Sequence, residues 1–149
     1  MSLPDRDPAS RGVAAAVFVV ALVLSLAPIR SYDYFWHLAT GQWILDHRAL
    51  PATDPFAVAS DPVPWIDGSW LFQTGLAAVH AGSGQPGVVA SRALLLAALF
   101  TALFLAACRR IPMSLAAPLM LIAWHGAEHR LGARPETLAT ILLAAVVAL

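Results

Sequence analysis

The chain has 149 residues, 59% of them hydrophobic and only 12% charged; its mean hydropathy is +0.71. Soluble domains are about 45–50% apolar and about 25% charged, so the composition excludes both an ordinary water-soluble globule and a disordered chain. All 9 basic residues are arginine and 9 acids balance them, which gives no basic surface for nucleic acid, and the single cysteine, Cys108, excludes an intrachain disulfide framework and any Cys-x-x-Cys metal site.

What remains is an all-α polytopic membrane protein, a transmembrane helix bundle of about four spans. The first predicted span covers about residues 12–29, a charge-free run between Arg11 and Arg30. It lies behind arginines near the N-terminus, as a signal peptide would. Its apolar stretch exceeds the usual core of about 7–15 residues and no Ala-x-Ala site follows, so it reads as an uncleaved span.

A long loop, residues 30–86, comes next. Residues 33–47 have helical periodicity, with Trp36, Thr40, Trp43 and His47 on one face and Phe35, Leu38, Gln42 and Leu45 on a neighbouring one. The aromatic run Tyr34 to Trp36 suits a helix lying in the headgroup layer. Prolines 51, 55, 62 and 64 then predict a stiff, extended crossing of one membrane face, and Trp65 and Trp70 bring the chain back to the bilayer. Ser69 to Gly82 is apolar and helix-like but short, with Gln73 and His80 inside. It reads as an interfacial or re-entrant helix.

Further spans are predicted at about 87–108, where Arg92 snorkels to an interface, at 111–127 and at 135–149. Pro135 suits the first position of the last helix. That helix stops short of a full crossing, so the chain reads as the N-terminal fragment of a longer multi-span protein, a single transmembrane domain. Arg6 and Arg11 before the first span, with Arg109 and Arg110 after the second, place the N-terminus in the cytoplasm. Loop 30–86 is then external. It carries Asp33, Asp46, Asp54, Asp61 and Asp67 against Arg30 and Arg48.

Asp33 lies only a few residues beyond the first span, with His37 one helical turn away. A carboxylate at this depth costs free energy unless it is paired or used. It can cap the following helix or pair with Arg30; alternatively it is a general base or metal-binding carboxylate supported by His37. The predicted turn from His125 to Glu136 holds a second cluster: His125, Glu128, His129, Arg130 and Arg134. His125 and His129 have the spacing of a two-histidine metal face, without a third placed ligand. Arg130, Arg134 and Arg92 suit either headgroup contact or bidentate binding of a substrate phosphate.

The pattern Asp33-x-x-Trp36-His37-Leu38-x-Thr40-Gly41, Trp43-Ile44-Leu45, Leu50-Pro51-x-x-Asp54-Pro55-Phe56, Pro64-Trp65 and Trp70-Leu71 resembles the N-terminal part of large bacterial multi-span proteins classed with glycosyltransferases of the GT-C fold. Arg134-Pro135-Glu136 resembles the family more loosely. The resemblance implies a bacterial cytoplasmic (inner) membrane protein of the cell envelope that uses a polyprenyl-phosphate-linked sugar. It implies Asp33 as catalytic base or metal ligand after the first span, Glu128 as the second acidic site, and a divalent cation as a cofactor the class admits. The chain departs from the mannosyltransferase pattern in having no acidic doublet beside Asp33. That departure leaves a second reading open: a non-enzymatic integral membrane scaffold or assembly protein of the envelope. A transporter ranks below both, because the span centres hold no charge.

Overall fold

A computed structural model describes residues 8–58, 64–127 and 130–148, with side chains up to 144. Arg6, Asp61, Pro62, Glu128, His129 and Leu149 lie outside the described residues. The regular elements among the described residues are all helices: α1 (Pro8–Ser25), α2 (Asp33–His47), α3 (Trp70–Ala107), α4 (Met113–Ala127) and α5 (Pro135–Ala148). Two compact units form. One is Ser31–Val88; the other is built from α1, α3 from Val89 onward, α4 and α5.

In the unit 31–88, α2 occupies the stretch that the periodicity predicts. Its first turn closes when the Tyr34 N–H donates to the Ser31 carbonyl at 3.3 Å. Asp33 is not its cap. Tyr32 holds that position in a helical conformation with no side-chain cap, and Asp33 sits in the first turn, where the helix dipole favours a negative charge. The helix ends at Arg48, whose left-handed backbone (φ 51°, ψ 34°) turns its N–H onto the Ile44 carbonyl. The buried residues are Tyr34, Leu38, Thr40, Gly41 and Ile44. Leu38 is therefore parted from its expected neighbours Phe35, Gln42 and Leu45, which are exposed. The reason is Gly41. Any Cβ there would collide with the backbone carbonyl of Gln73 and with the Ala77 side chain, so α2 turns its Gly41 side to α3.

The proline-rich loop folds back rather than crossing in an extended form. Thr53 and Pro64 form an antiparallel bridge, and the Trp65 N–H donates to the Ala52 carbonyl at 3.0 Å. Trp36 holds the loop against α2, with ring centroids 5.2 Å from Phe56 and 5.9 Å from Trp65. Asp67 then starts α3 by accepting the Ser69 N–H at 3.0 Å.

The expected helical segment 69–82 is the first of two helical stretches that α3 joins across a kink. That helix breaks at Gly84 (φ 65°, ψ −167°), a backbone region open essentially to glycine alone. Two residues on, Pro86 lacks an N–H and its ring would clash with the Gly82 carbonyl in a straight helix.

In the other unit, α1 spans Pro8–Ser25 and stops four residues earlier than predicted. Pro28 disfavours helical geometry at Ala27, and the Ser25 hydroxyl returns to the Ala21 carbonyl at 2.6 Å. Ala21, Leu96, Ala97, Leu99, Phe100, Trp124 and Leu131 form the core, with Ile141 and Ala144 of α5 packed against it. A tight turn through Cys108, Arg109, Arg110 and Ile111, whose N–H groups bond back to residues 104–107, reverses α3 into α4. α1 and α3 are long and apolar enough to cross a membrane. At about 1.5 Å per residue, α4 (Met113–Ala127) falls short of the hydrocarbon thickness of about 30 Å.

Gly41→Ala is expected to destabilise the protein by about 1–3 kcal/mol, the usual cost of overpacking. Gly75→Ala, where a Cβ meets nothing within 4 Å, should be neutral or slightly stabilising, since alanine favours helix. Thermal unfolding of both variants in the same detergent tests the contrast.

Candidate functional site

The first candidate site lies on α2 and the start of α3. Asp33 is exposed at the first position of α2. His37, one turn on, is half-buried. Its Nδ1 is 3.2 Å from Nε2 of Gln73, and its ring meets Phe72 edge-on at 5.5 Å. Gln73 is only 2% exposed, and its Oε1 is buried without a hydrogen-bond partner among the described residues. Sequence reasoning noted Gln73 only as a polar interruption in an apolar stretch. A buried glutamine in such a stretch was the one signal that could have marked it, since buried polar groups need partners.

Tyr34 was read as part of an aromatic headgroup belt. It is instead 1% exposed and packs edge-on against Phe35 at 5.2 Å. Its hydroxyl is buried without a partner among the described residues. Burial raises its phenol above the ordinary value of 10.0, because desolvation penalises the phenolate.

The second group lies in the unit containing α1. Arg92 does not simply reach for an interface. Its Nη2 donates to the carbonyls of Ser25 and Ala27 at 2.7 and 2.5 Å, which closes the C-terminal end of α1, where unpaired carbonyls and negative dipole collect. Its Nε is buried without a partner among the described residues.

His125 is exposed in the last turn of α4. Arg130 is exposed and Arg134 half-buried in the turn before α5. That turn is organised by Thr137, which the sequence reading did not single out. Its buried hydroxyl donates to the Gly132 carbonyl at 2.8 Å, with the Arg130 carbonyl 3.2 Å away, and its N–H donates to the Arg134 carbonyl at 3.1 Å. Both arginines therefore belong to a turn with a fixed backbone. Glu128 and His129, the other members of the expected cluster, lie outside the described residues.

The same unit holds an apolar cavity of about 220 Å³ between α1, α3 and α4, lined among others by Val17, Ala21, Leu24, Phe100, Met120 and Trp124. Trp124 closes one side by tilting onto Phe100 at 4.9 Å. Among the described residues no group of three or more His, Cys, Asp or Glu side chains gathers as a metal site.

Comparison with known proteins adds no assignment: no family model, curated protein or solved structure matches the chain.

Tyr34→Phe removes a buried hydroxyl that makes no hydrogen bond among the described residues, so it is expected to be neutral or stabilising by about 1 kcal/mol. The sign of its pH dependence follows from the raised phenol. The folded state holds the Tyr34 proton more tightly than the unfolded chain, so its contribution is complete below pH 10.0 and is lost as the pH rises through the higher folded value. Unfolding followed from neutral to alkaline pH should show a later alkaline onset in Tyr34→Phe than in the wild type.

Proposed function

We propose that the chain belongs to a membrane glycosyltransferase that moves a sugar from a polyprenyl-phosphate-linked donor to an acceptor at the external face of the membrane. The observation that carries this reading is the pairing of an exposed carboxylate, Asp33, with a histidine one turn away whose ring is held on two sides, by Gln73 and by Phe72. A solvent-facing carboxylate on a well-anchored helix is suited to general base work. A held imidazole suits fixed hydrogen bonding rather than mere packing.

In this reading Asp33 takes the proton of the acceptor hydroxyl. The acceptor oxygen forms its bond to the anomeric carbon of the sugar. The bond from that carbon to the phosphate oxygen breaks, and the lipid phosphate leaves with the electron pair. Arginine stabilises the charge that develops on the leaving phosphate; Arg130 and Arg134, on their fixed turn, are the candidates. Arg92 has Nη2 committed to α1, which leaves Nη1 as its candidate donor to a phosphate. Glu128 is the second acidic group of the proposal. A divalent cation, if the protein uses one, would supply further charge neutralisation at the phosphate. The apolar cavity beside α1 and α4 has the chemistry of a hydrocarbon chain, as a polyprenyl-linked donor requires.

The accompanying topology has the N-terminus in the cytoplasm of a bacterial inner membrane and four crossings, by α1, the later part of α3, α4 and α5. The lipid bilayer is then the main partner. Crossing by α4 would draw on its flanking turns and on local thinning of the bilayer.

Asp33→Asn in the whole protein is expected to lower sugar transfer by about 10²–10⁴-fold while leaving the amount of protein in the membrane unchanged. Transfer is measured with a radiolabelled polyprenyl-phosphate sugar in native membranes. Unaltered turnover in this variant would remove the catalytic role. A wild-type protein that neither binds nor turns over such donors would favour the envelope scaffold instead.

A further inference from the structure

We infer that the cavity between α1, α3 and α4 holds one acyl chain of an anionic bilayer phospholipid, whose phosphate is met by Arg92. The whole site lies within the unit built from α1, the later part of α3, α4 and α5. The inference goes beyond the sugar-transfer reading and stands without it. A donor lipid is the rival occupant, and the test separates the two.

The cavity measures about 220 Å³ and its lining side chains are apolar. Water needs about two to four polar partners to stay in such a space, whereas an apolar cavity of about 150 Å³ takes up benzene. Hydrocarbon is therefore the content it suits. Val20, Leu24 and Leu121 line it and are also exposed, so it opens outward rather than being sealed. α1 is long and apolar enough to cross a membrane, and in a bilayer that opening faces lipid tails.

Length and charge select the lipid. On α1 the lining runs from Val13 to Leu24, about 16 Å at the helical rise of about 1.5 Å per residue. One leaflet of the hydrocarbon core is about 15 Å deep, half of the total of about 30 Å. The cavity thus matches the depth of a single leaflet, which one phospholipid chain fills and a polyprenyl chain of many units overruns. Leu24 immediately precedes Ser25, whose carbonyl accepts from Nη2 of Arg92 at 2.7 Å. The guanidinium therefore stands just past the end of the cavity on α1, where a headgroup would lie.

Among the described residues Arg92 hydrogen-bonds to two carbonyls, those of Ser25 and Ala27, and its Nε is buried without a partner. Carbonyls orient a guanidinium but do not neutralise it, and a charge withdrawn from water needs a counter-charge. With Nη2 committed to α1, Nη1 is the donor to a phosphate oxygen, in a charge-assisted hydrogen bond. The bound headgroup then braces α1 against α3 where Arg92 already closes the helix end. Arg109 and Arg110, in the turn after α3, are exposed and serve as control cations.

The test counts bound lipids by native mass spectrometry on the whole protein in mild detergent, titrated with phosphatidylglycerol or phosphatidylcholine of identical acyl chains. The wild type is expected to hold one phosphatidylglycerol about fivefold more tightly than phosphatidylcholine, the preference one arginine at an anionic lipid surface provides. Arg92→Gln keeps an amide donor for the α1 carbonyls but drops the charge, so the preference should vanish. Ala117→Leu places bulk in the cavity and should lose the retained lipid whatever its headgroup. Arg109→Gln combined with Arg110→Gln should change neither. Helicity and thermal midpoint are recorded for each variant. A wild type without the preference overturns the inference. So does a preference that survives in folded Arg92→Gln or is lost in the control, or lipid retention unchanged in folded Ala117→Leu. Displacement of phosphatidylglycerol by an equal concentration of polyprenyl phosphate also overturns it and gives the cavity to the donor. If a variant fails to fold, the wild-type ranking of these three lipids decides alone. No readout involves sugar transfer, so a failed transfer assay leaves the lipid result intact, and the reverse holds.

Discussion

The close crossing of α2 over α3 at Gly41 is the constraint on which the unit 31–88 depends. A helix contact this tight needs a residue without a side chain on one partner and small groups on the other. Gly41 meets the Gln73 backbone and Ala77. Beside this close contact, the buried Gln73 places its amide 3.2 Å from the His37 ring. A packing requirement thus becomes a polar arrangement. One buried amide is half satisfied by one imidazole, and the exposed Asp33 lies one turn away on the same helix.

The other unit solves a different problem, the end of an apolar helix. α1 finishes at Ser25 with carbonyls that have no partner within the helix. In an apolar setting such groups are costly. Ser25 bonds back to Ala21, and Arg92 reaches across 67 residues of chain to the Ser25 carbonyl. The arginine thereby ties α1 to the later part of α3 at one end, while Phe100 and Trp124 pack the core further along. A charged side chain in an apolar helix is usually a sign of function; here a backbone requirement accounts for part of it.

The two turns around α4 are built from different means. Arginines 109 and 110 follow a tight backbone reversal that needs no side-chain support. The turn before α5 is held by one buried hydroxyl, that of Thr137. Arg130 and Arg134 are consequently carried on a defined backbone, which is what binding of an anionic group would require of them.

Composition alone determined that the chain is too apolar for an ordinary soluble globule, because so few charges cannot solvate one of this length, and the long charge-free runs pointed to helices. Periodicity determined α2 from Asp33 to His47, and Pro135 marked the start of α5, since both are local effects of side-chain spacing and of φ. Local rules did not reach the loop closed by Thr53 and Pro64. Only the tertiary structure decided which face of α2 is buried, because that choice follows from the steric fit of Gly41 to a residue 32 positions away. It likewise decided the partners of Gln73, Arg92 and Thr137. Each is a polar group whose role is set by whichever donor or acceptor the folded chain brings within about 3 Å, and sequence spacing carries no record of that meeting.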